Sequence, residues 1–163
     1  MNVLNLSISR VRRNHALEHA TIHVLAEKNL SLTVVGRSTL NGFHLYGNLT
    51  TEMVAQAARE ALRRLRAGEH HLAIHPNCGT NLVASGSVAG LAVFALMGGR
   101  KERRLDMLPG ALLAATLGLL VARPLGPLLQ ARVTTMADLG DLTIKDIRRE
   151  DRRNLVAHFV ETG

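Results

Sequence analysis

The segment His15-Ala-Leu-Glu18-His19 puts two imidazoles and a carboxylate into five positions. On a helix, His15 and His19 stand one turn apart, about 6 Å along the axis, and can grip one metal ion. Glu18, three residues after His15, lies on the same side, where it could take a proton from a metal-bound water. This is an H-x-x-E-H pattern, the inverted form of the H-E-x-x-H zinc-protease helix. The bare pattern also fits an amphipathic helix with ordinary polar residues on a wet face. His23 continues the row, but at about 12 Å from His15 it is too far to share an ion on a straight helix. It is expected to hydrogen-bond a ligand, or to pack.

A third ligand must come from elsewhere, and the best source is His75-Pro76-Asn77-Cys78-Gly79-Thr80-Asn81. This turn, stiffened by Pro76 and Gly79, carries the only cysteine of the chain. Either Cys78 or His75 would complete a three-ligand catalytic site with an open position for water. All four of His15, His19, His75 and Cys78 would instead close a structural zinc site. A cysteine is also often just a small buried hydrophobe. Asn77, Thr80 and Asn81 are candidates for supporting or substrate-binding roles, and Asn77, Asn81 or Arg123 for an oxyanion donor. His70 and His71 read as solvated helix-end residues, His44 and His158 as structural residues on strands.

The 163 residues carry 20 Lys+Arg against 13 Asp+Glu, a formal charge of +7. Such a balance favours acidic partners. With aromatics at 2 per cent and no Trp, however, there is no stacking platform for single-stranded nucleic acid. The basic residues are spread over three segments and also flank apolar runs, so the sequence argues against a nucleic-acid binder. One cysteine excludes an intrachain disulfide, and MNVLNLSISRVRR lacks the apolar core of a secretory signal.

Mean hydropathy is +0.10 although 20 per cent of residues are charged, so the two are segregated. No Asp, Glu, Lys or Arg occurs between Glu69 and Arg100, and a second charge-free run covers Met107 to Ala122. Spans of about 82–99 and 107–129 meet the ~20 residues that a bilayer crossing needs, the second if Arg123 snorkels or faces protein. The basic GRKERRLD loop between them is too polar to bury. The expectation is a two-helix membrane hairpin, with lipid as its surroundings. Gly86 and Gly90, spaced as GxxxG, would allow close approach to a neighbour, including a second copy. The alternative is a buried helical hairpin in a soluble α/β protein. Flanking charges are nearly balanced, and the chain is read as a multi-pass membrane protein with cytoplasmic termini.

The remainder reads as mixed α and β. Ser7 or Ser9 would cap a helix running to Lys28, with Asn29 as its stop. Leu30–Val35 and Phe43–Leu49 alternate like strands joined through a turn containing Asn41-Gly42. Thr50 or Thr51 starts a helix to about Ala67, ended by Gly68, whose apolar stripe is Met53, Val54, Ala57, Ala61, Leu62 and Leu65. Leu72–His75 looks like a third strand. LTIKDI and NLVAHFV form a C-terminal hairpin about the REDRR turn. The expected class is α+β: a small α/β cap on a transmembrane hairpin. Its parts are a metal-site region at 1–81, a hairpin at 82–129 and returning strands at 130–163.

HALEHATIHVL together with HPNCGT, a membrane hairpin and Gln130-Ala-Arg-Val-Thr134-Thr135 resembles a group of bacterial membrane families of unknown function. These are described as predicted metal-dependent enzymes. Their members show His-Gly-Ala-Glu-His and, later, His-Pro-Arg-Cys-Gly-Thr. His15, Glu18 and His19 match the first motif, with Ala16 and Leu17 replacing Gly and Ala. His75, Pro76, Cys78, Gly79 and Thr80 match the second, with Asn77 replacing Arg. Gln130, Thr134 and Thr135 match a weaker third segment. The resemblance covers most of residues 12–135 and implies a site, with no substrate attached. Together with the residues, it leads to a membrane-bound, zinc-dependent (or other divalent metal) hydrolase of the bacterial cell membrane. The expected activity is a metallopeptidase acting on a peptide or membrane protein, with Glu18 activating the water. The alternative is a non-enzymatic, zinc-stabilised scaffold or regulatory module.

Overall fold

A computed structural model describes residues 3–28, 32–98, 106–151 and 156–163. Asn29, the expected strand start at Leu30, the basic loop at 100–104 and part of the REDRR turn lie outside the described residues. The chain divides into two compact units, one of residues 1–75 and 131–163, the other of residues 76–130.

The first unit opens with α1, Val3–Lys28. Ser7 and Ser9 lie inside this helix rather than capping it. A hydroxyl caps only where backbone N–H groups lack an intrahelical partner, and the residues upstream already supply one. β1 (Val35–Thr39) and β2 (Gly42–Tyr46) pair antiparallel around a two-residue turn, Leu40-Asn41, with Thr39 opposite Gly42 and Val35 opposite Tyr46. The first strand therefore starts five residues later than its alternation suggests, because register is counted outward from the turn. Leu32 and Val34 still pack on the core from outside the strand. Gly42 is required where it stands: its φ is 147°, and an added Cβ would run into the Val160 carbonyl.

Helix α2 (Thr51–Arg66) begins as expected, with the Thr50 hydroxyl accepting from the Met53 N–H at 3.2 Å. Gly68, at φ 95°, follows its end. The expected stripe faces inward: Val54, Ala57, Ala61 and Leu65 are buried, while Met53 and Leu62 pack against the core edge. Residues His70–Ala73 form a 3₁₀ turn, not the expected third strand at Leu72–His75. Leu72 and Ala73 are buried in succession, where a half-buried strand would alternate. Their backbone is satisfied locally, Leu72 N–H to the Glu69 carbonyl and Ile74 N–H to the His71 carbonyl, each at 3.1 Å. The carbonyls of Ala73 and Ile74 go to histidine side chains of α1 rather than to a neighbouring strand.

β3 (Ile144–Arg149) and β4 (Ala157–Thr162) form the expected C-terminal hairpin. β4 also pairs with β2, giving an antiparallel sheet of order β1-β2-β4-β3. Helices α1 and α2 bury Leu17, Leu25, Val54 and Leu65 against Phe43, Leu45 and Val160 of the sheet. The class is thus α+β, with five α-helices and a four-stranded antiparallel sheet among the described residues.

His158, fully buried on β4 with its Nε2 3.2 Å from the Thr51 hydroxyl, has its pKa lowered, chiefly by desolvation. Its folded value lies below the unfolded 6.5, so the unfolded chain binds the extra proton and folding weakens as pH falls below that point. One such group contributes a slope of at most about 1.4 kcal/mol per pH unit. Between pH 6.5 and 5.5 the melting temperature should fall, and His158→Gln should flatten that dependence. An unchanged slope in the variant would remove His158 as its source.

The second unit holds α3 (Gly79–Met97), α4 (Leu108–Ala122) and α5 (Leu125–Leu129), the last continuing into a π turn over Gln130–Thr134. α3 and α4 run antiparallel: Gly118 lies against Ala89, and Gly110 beside Leu96. Gly86 and Gly90 meet nothing within 4 Å among the described residues. α3 spans about 28 Å at 1.5 Å per residue, and it is long and apolar enough to cross a membrane. Leu82, Val83, Leu91 and Phe94 on it are all exposed. The expected single span at 107–129 is instead bent by 48° between Leu108–Ala122 and Leu125–Thr134. The break falls at exposed Arg123 and at Pro124, which has no N–H to continue the helix. Two crossings result only if the bent pair acts as one span.

Candidate metal centre

Two neighbouring stripes of α1 do different work. Asn14 and Glu18 face the β1 end of the sheet. Asn14 donates to the carbonyls of Thr39 and Leu40, at 2.9 and 3.1 Å, and accepts from the Thr162 hydroxyl at 2.7 Å. This buried clasp fixes how α1 lies on the sheet. His15, His19 and His23, at four-residue spacing, form the second stripe, about 100° further round the helix.

Each histidine of that stripe is held by a backbone carbonyl. His15 Nδ1 is 2.9 Å from the Thr134 carbonyl, His19 Nδ1 2.8 Å from the Ala73 carbonyl and His23 Nε2 2.9 Å from the Ile74 carbonyl. A carbonyl only accepts, so these ring nitrogens carry the protons. In the neutral imidazoles the lone pairs are then on Nε2 of His15 and His19 and on Nδ1 of His23. A carbonyl that fixes the tautomer and orientation of a histidine is the usual support of a metal ligand. The rings of His15 and His19 are 4.3 Å apart, centre to centre. The Thr134 carbonyl is presented by Arg12, whose guanidinium donates to the carbonyls of Arg132 and Thr135 at 2.9 and 3.0 Å. Thr134 thus matters through its backbone, a role no side-chain pattern could announce.

Glu18 is 4% exposed. Ser38 of β1 donates a hydrogen bond to its carboxylate, and the backbone of Gly36 lies against it so closely that an added Cβ would collide with the carboxyl group. The acid predicted beside the histidine pair is therefore a buried, oriented carboxylate.

His75 brings a fourth ring to the row, 5.6 Å from His19 and 4.9 Å from His23. Burial, then the neighbouring His23 and His19, push its pKa down to about 4, so it is neutral at pH 7 and able to donate a lone pair. His23 thus pairs with His75, one turn beyond His19. In the second unit, half-buried Cys78 stands at the N-cap of α3, a position that favours an anionic side chain. Asn81 donates to the Pro76 carbonyl and accepts from buried Gln130, both at 2.6 Å. That employment makes Asn81 a brace of its turn. Asn77 is exposed and Thr80 half-buried. His70 and His71 are exposed and His44 lies on β2, as read from the sequence.

A family profile described as Domain of unknown function (DUF6391) matches residues 10–147. The chain belongs to the DUF6391 family. An uncharacterised protein of Picosynechococcus sp. is 35% identical over 164 aligned positions, covering 92% of this chain and 78% of that one. No solved structure matches the chain. The DUF6391 match takes in the histidine row, Glu18, Cys78 and the carbonyl-bearing Thr134 segment, and it ends within β3, before the middle strand β4.

Proposed function

We propose that this DUF6391 protein is a membrane-bound, metal-dependent hydrolase, acting on a peptide or membrane-protein substrate at or within the bacterial cell membrane. In this reading His15 and His19 hold zinc, or another divalent transition metal, and Cys78 is the third ligand. Cys78 follows His75, whose ring lies 5.6 Å from that of His19, by only three residues, a reach of at most about 11 Å of chain. Such a donor set, two imidazoles and a thiolate, suits zinc and leaves a fourth position open. The observation that carries the reading is the pair of Nδ1–H···O=C bonds, which turn the lone pairs of His15 and His19 to Nε2.

Zinc so bound supplies Lewis acidity and lowers the pKa of a coordinated water towards 7. The chain's own residues do the rest. Arg12 holds the 132–135 segment, and with it His15; the 3₁₀ turn holds His19; Ser38 and Gly36 set the direction of the Glu18 carboxylate. Glu18 is the proton acceptor, and later the donor to the leaving group. Apolar α3 and the bent Leu108–Thr134 pair serve as two membrane crossings, and the open Gly86/Gly90 face meets lipid or a second copy.

A structural zinc site is the second reading, and one observation favours it: the burial of Glu18 and its bond to Ser38 suit a carboxylate that only braces α1. Metal analysis of the detergent-purified full chain tests the site itself. About one zinc per chain is expected in the wild type, lost in His19→Ala and reduced in Cys78→Ala. A wild type that stays metal-free when zinc is added ends both readings.

A further inference from the structure

We propose that His23 and His75 form a second divalent-metal position, one helical turn along α1 from the first. The proposal goes beyond the hydrolase reading and does not rest on it. Two imidazoles bound to one tetrahedral zinc at about 2.0–2.1 Å hold their ring centres about 5 Å apart. The His23 and His75 rings stand 4.9 Å apart with planes at 64°. That separation is the one two imidazole ligands of a single ion would have.

His23 is fixed by the same device as the first pair. Ala73 and Ile74 offer consecutive carbonyls, the first to His19 Nδ1 and the second to His23 Nε2. The alternation of ring nitrogen means that His19 keeps its lone pair on Nε2 and His23 on Nδ1. Ile74 also directly precedes His75, so one short segment orients one ligand of the pair and carries the other. His75 lies nearer to His23 than to His19, which assigns it to this second position and leaves Cys78 to the first. Both rings are half-buried, leaving the position open to water for its remaining coordination. Two protein ligands make it the weaker of the two, suited to exchangeable zinc or cobalt.

Equilibrium dialysis of the metal-free, detergent-purified full chain against cobalt(II) chloride tests this, with visible spectra recorded alongside. The wild type should bind two equivalents at saturation and His23→Gln one. Glutamine keeps an amide donor for the Ile74 carbonyl, and circular dichroism checks that the fold is retained. His75→Gln should likewise bind one. The thiolate-to-cobalt charge-transfer absorption should survive both changes, since it belongs to Cys78. Cobalt retained in full by His23→Gln, whether the wild type takes up two equivalents or one, overturns the proposal. Loss of an equivalent in His15→Ala but not in His23→Gln would leave the first site standing alone. The opposite pattern would leave the second position and remove the first.

Discussion

Glu18→Gln is expected to lower hydrolytic turnover by about 10²–10⁴-fold while leaving zinc per chain at the wild-type level. Glutamine matches the volume of glutamate and can still accept from Ser38, so the packing against Gly36 and the histidine ligands are undisturbed. What it cannot do is take up a proton. The measurement is cleavage of a mixed-sequence peptide library by detergent-purified protein, with metal content read on the same samples. A wild type that holds zinc but cleaves nothing, or a variant with undiminished turnover, would favour the structural-zinc reading. In that case Glu18→Gln should change only the melting temperature, and only slightly.

Phe43→Ala should be the most damaging single change to the fold. Phe43 is fully buried on β2, opposite Val160 of β4, at the centre of the sheet face that α1 and α2 cover. Removing a buried phenyl ring costs about 3–5 kcal/mol, against a total stability of about 5–15 kcal/mol for a typical domain. For a domain of this size the melting temperature should drop by roughly 6–20 °C. The chain has no Trp and one Tyr, Tyr46, which lies on β2 with its ring 6.1 Å from that of His44. Tyrosine fluorescence and the tyrosine band of the near-ultraviolet circular dichroism therefore report on this sheet. A loss below about 1 kcal/mol would mean that the site collapses around the deletion.

Helix α2 was legible because several local signals agree: the Thr50 cap, the 3.6-residue stripe and the Gly68 stop. The hairpin at 35–46 was legible in kind but not in register, since Leu30–Val35 alternates as well as the residues that pair. Only the Leu40-Asn41 turn decides which of them face β2. Leu72–His75 was misread for want of length: four residues with apolar members fit a strand or a 3₁₀ turn equally. The H-x-x-E-H residues could be picked out from their chemistry alone. Their supports could not, because Thr134, Ala73 and Ile74 act through carbonyls, which every residue has. The bend at Arg123-Pro124 was readable in Pro124 but was overridden by the apolar run on either side of it.

The position of β4 in the sheet has a consequence for how the protein is made. It is an interior strand, between β2 and β3, yet it comes about 130 residues after the end of α1. At about 5–20 residues per second on the ribosome, roughly 6–26 s separate the two. During that interval α1 has left the ribosome, but the strand that supplies Val160 to its core and Thr162 to the Asn14 clasp has not been synthesised. The apolar helices α3 and α4 emerge within the same interval. The order of synthesis therefore brings apolar α3 and α4 out before the Asn14–Thr162 clasp can fix α1 on the sheet.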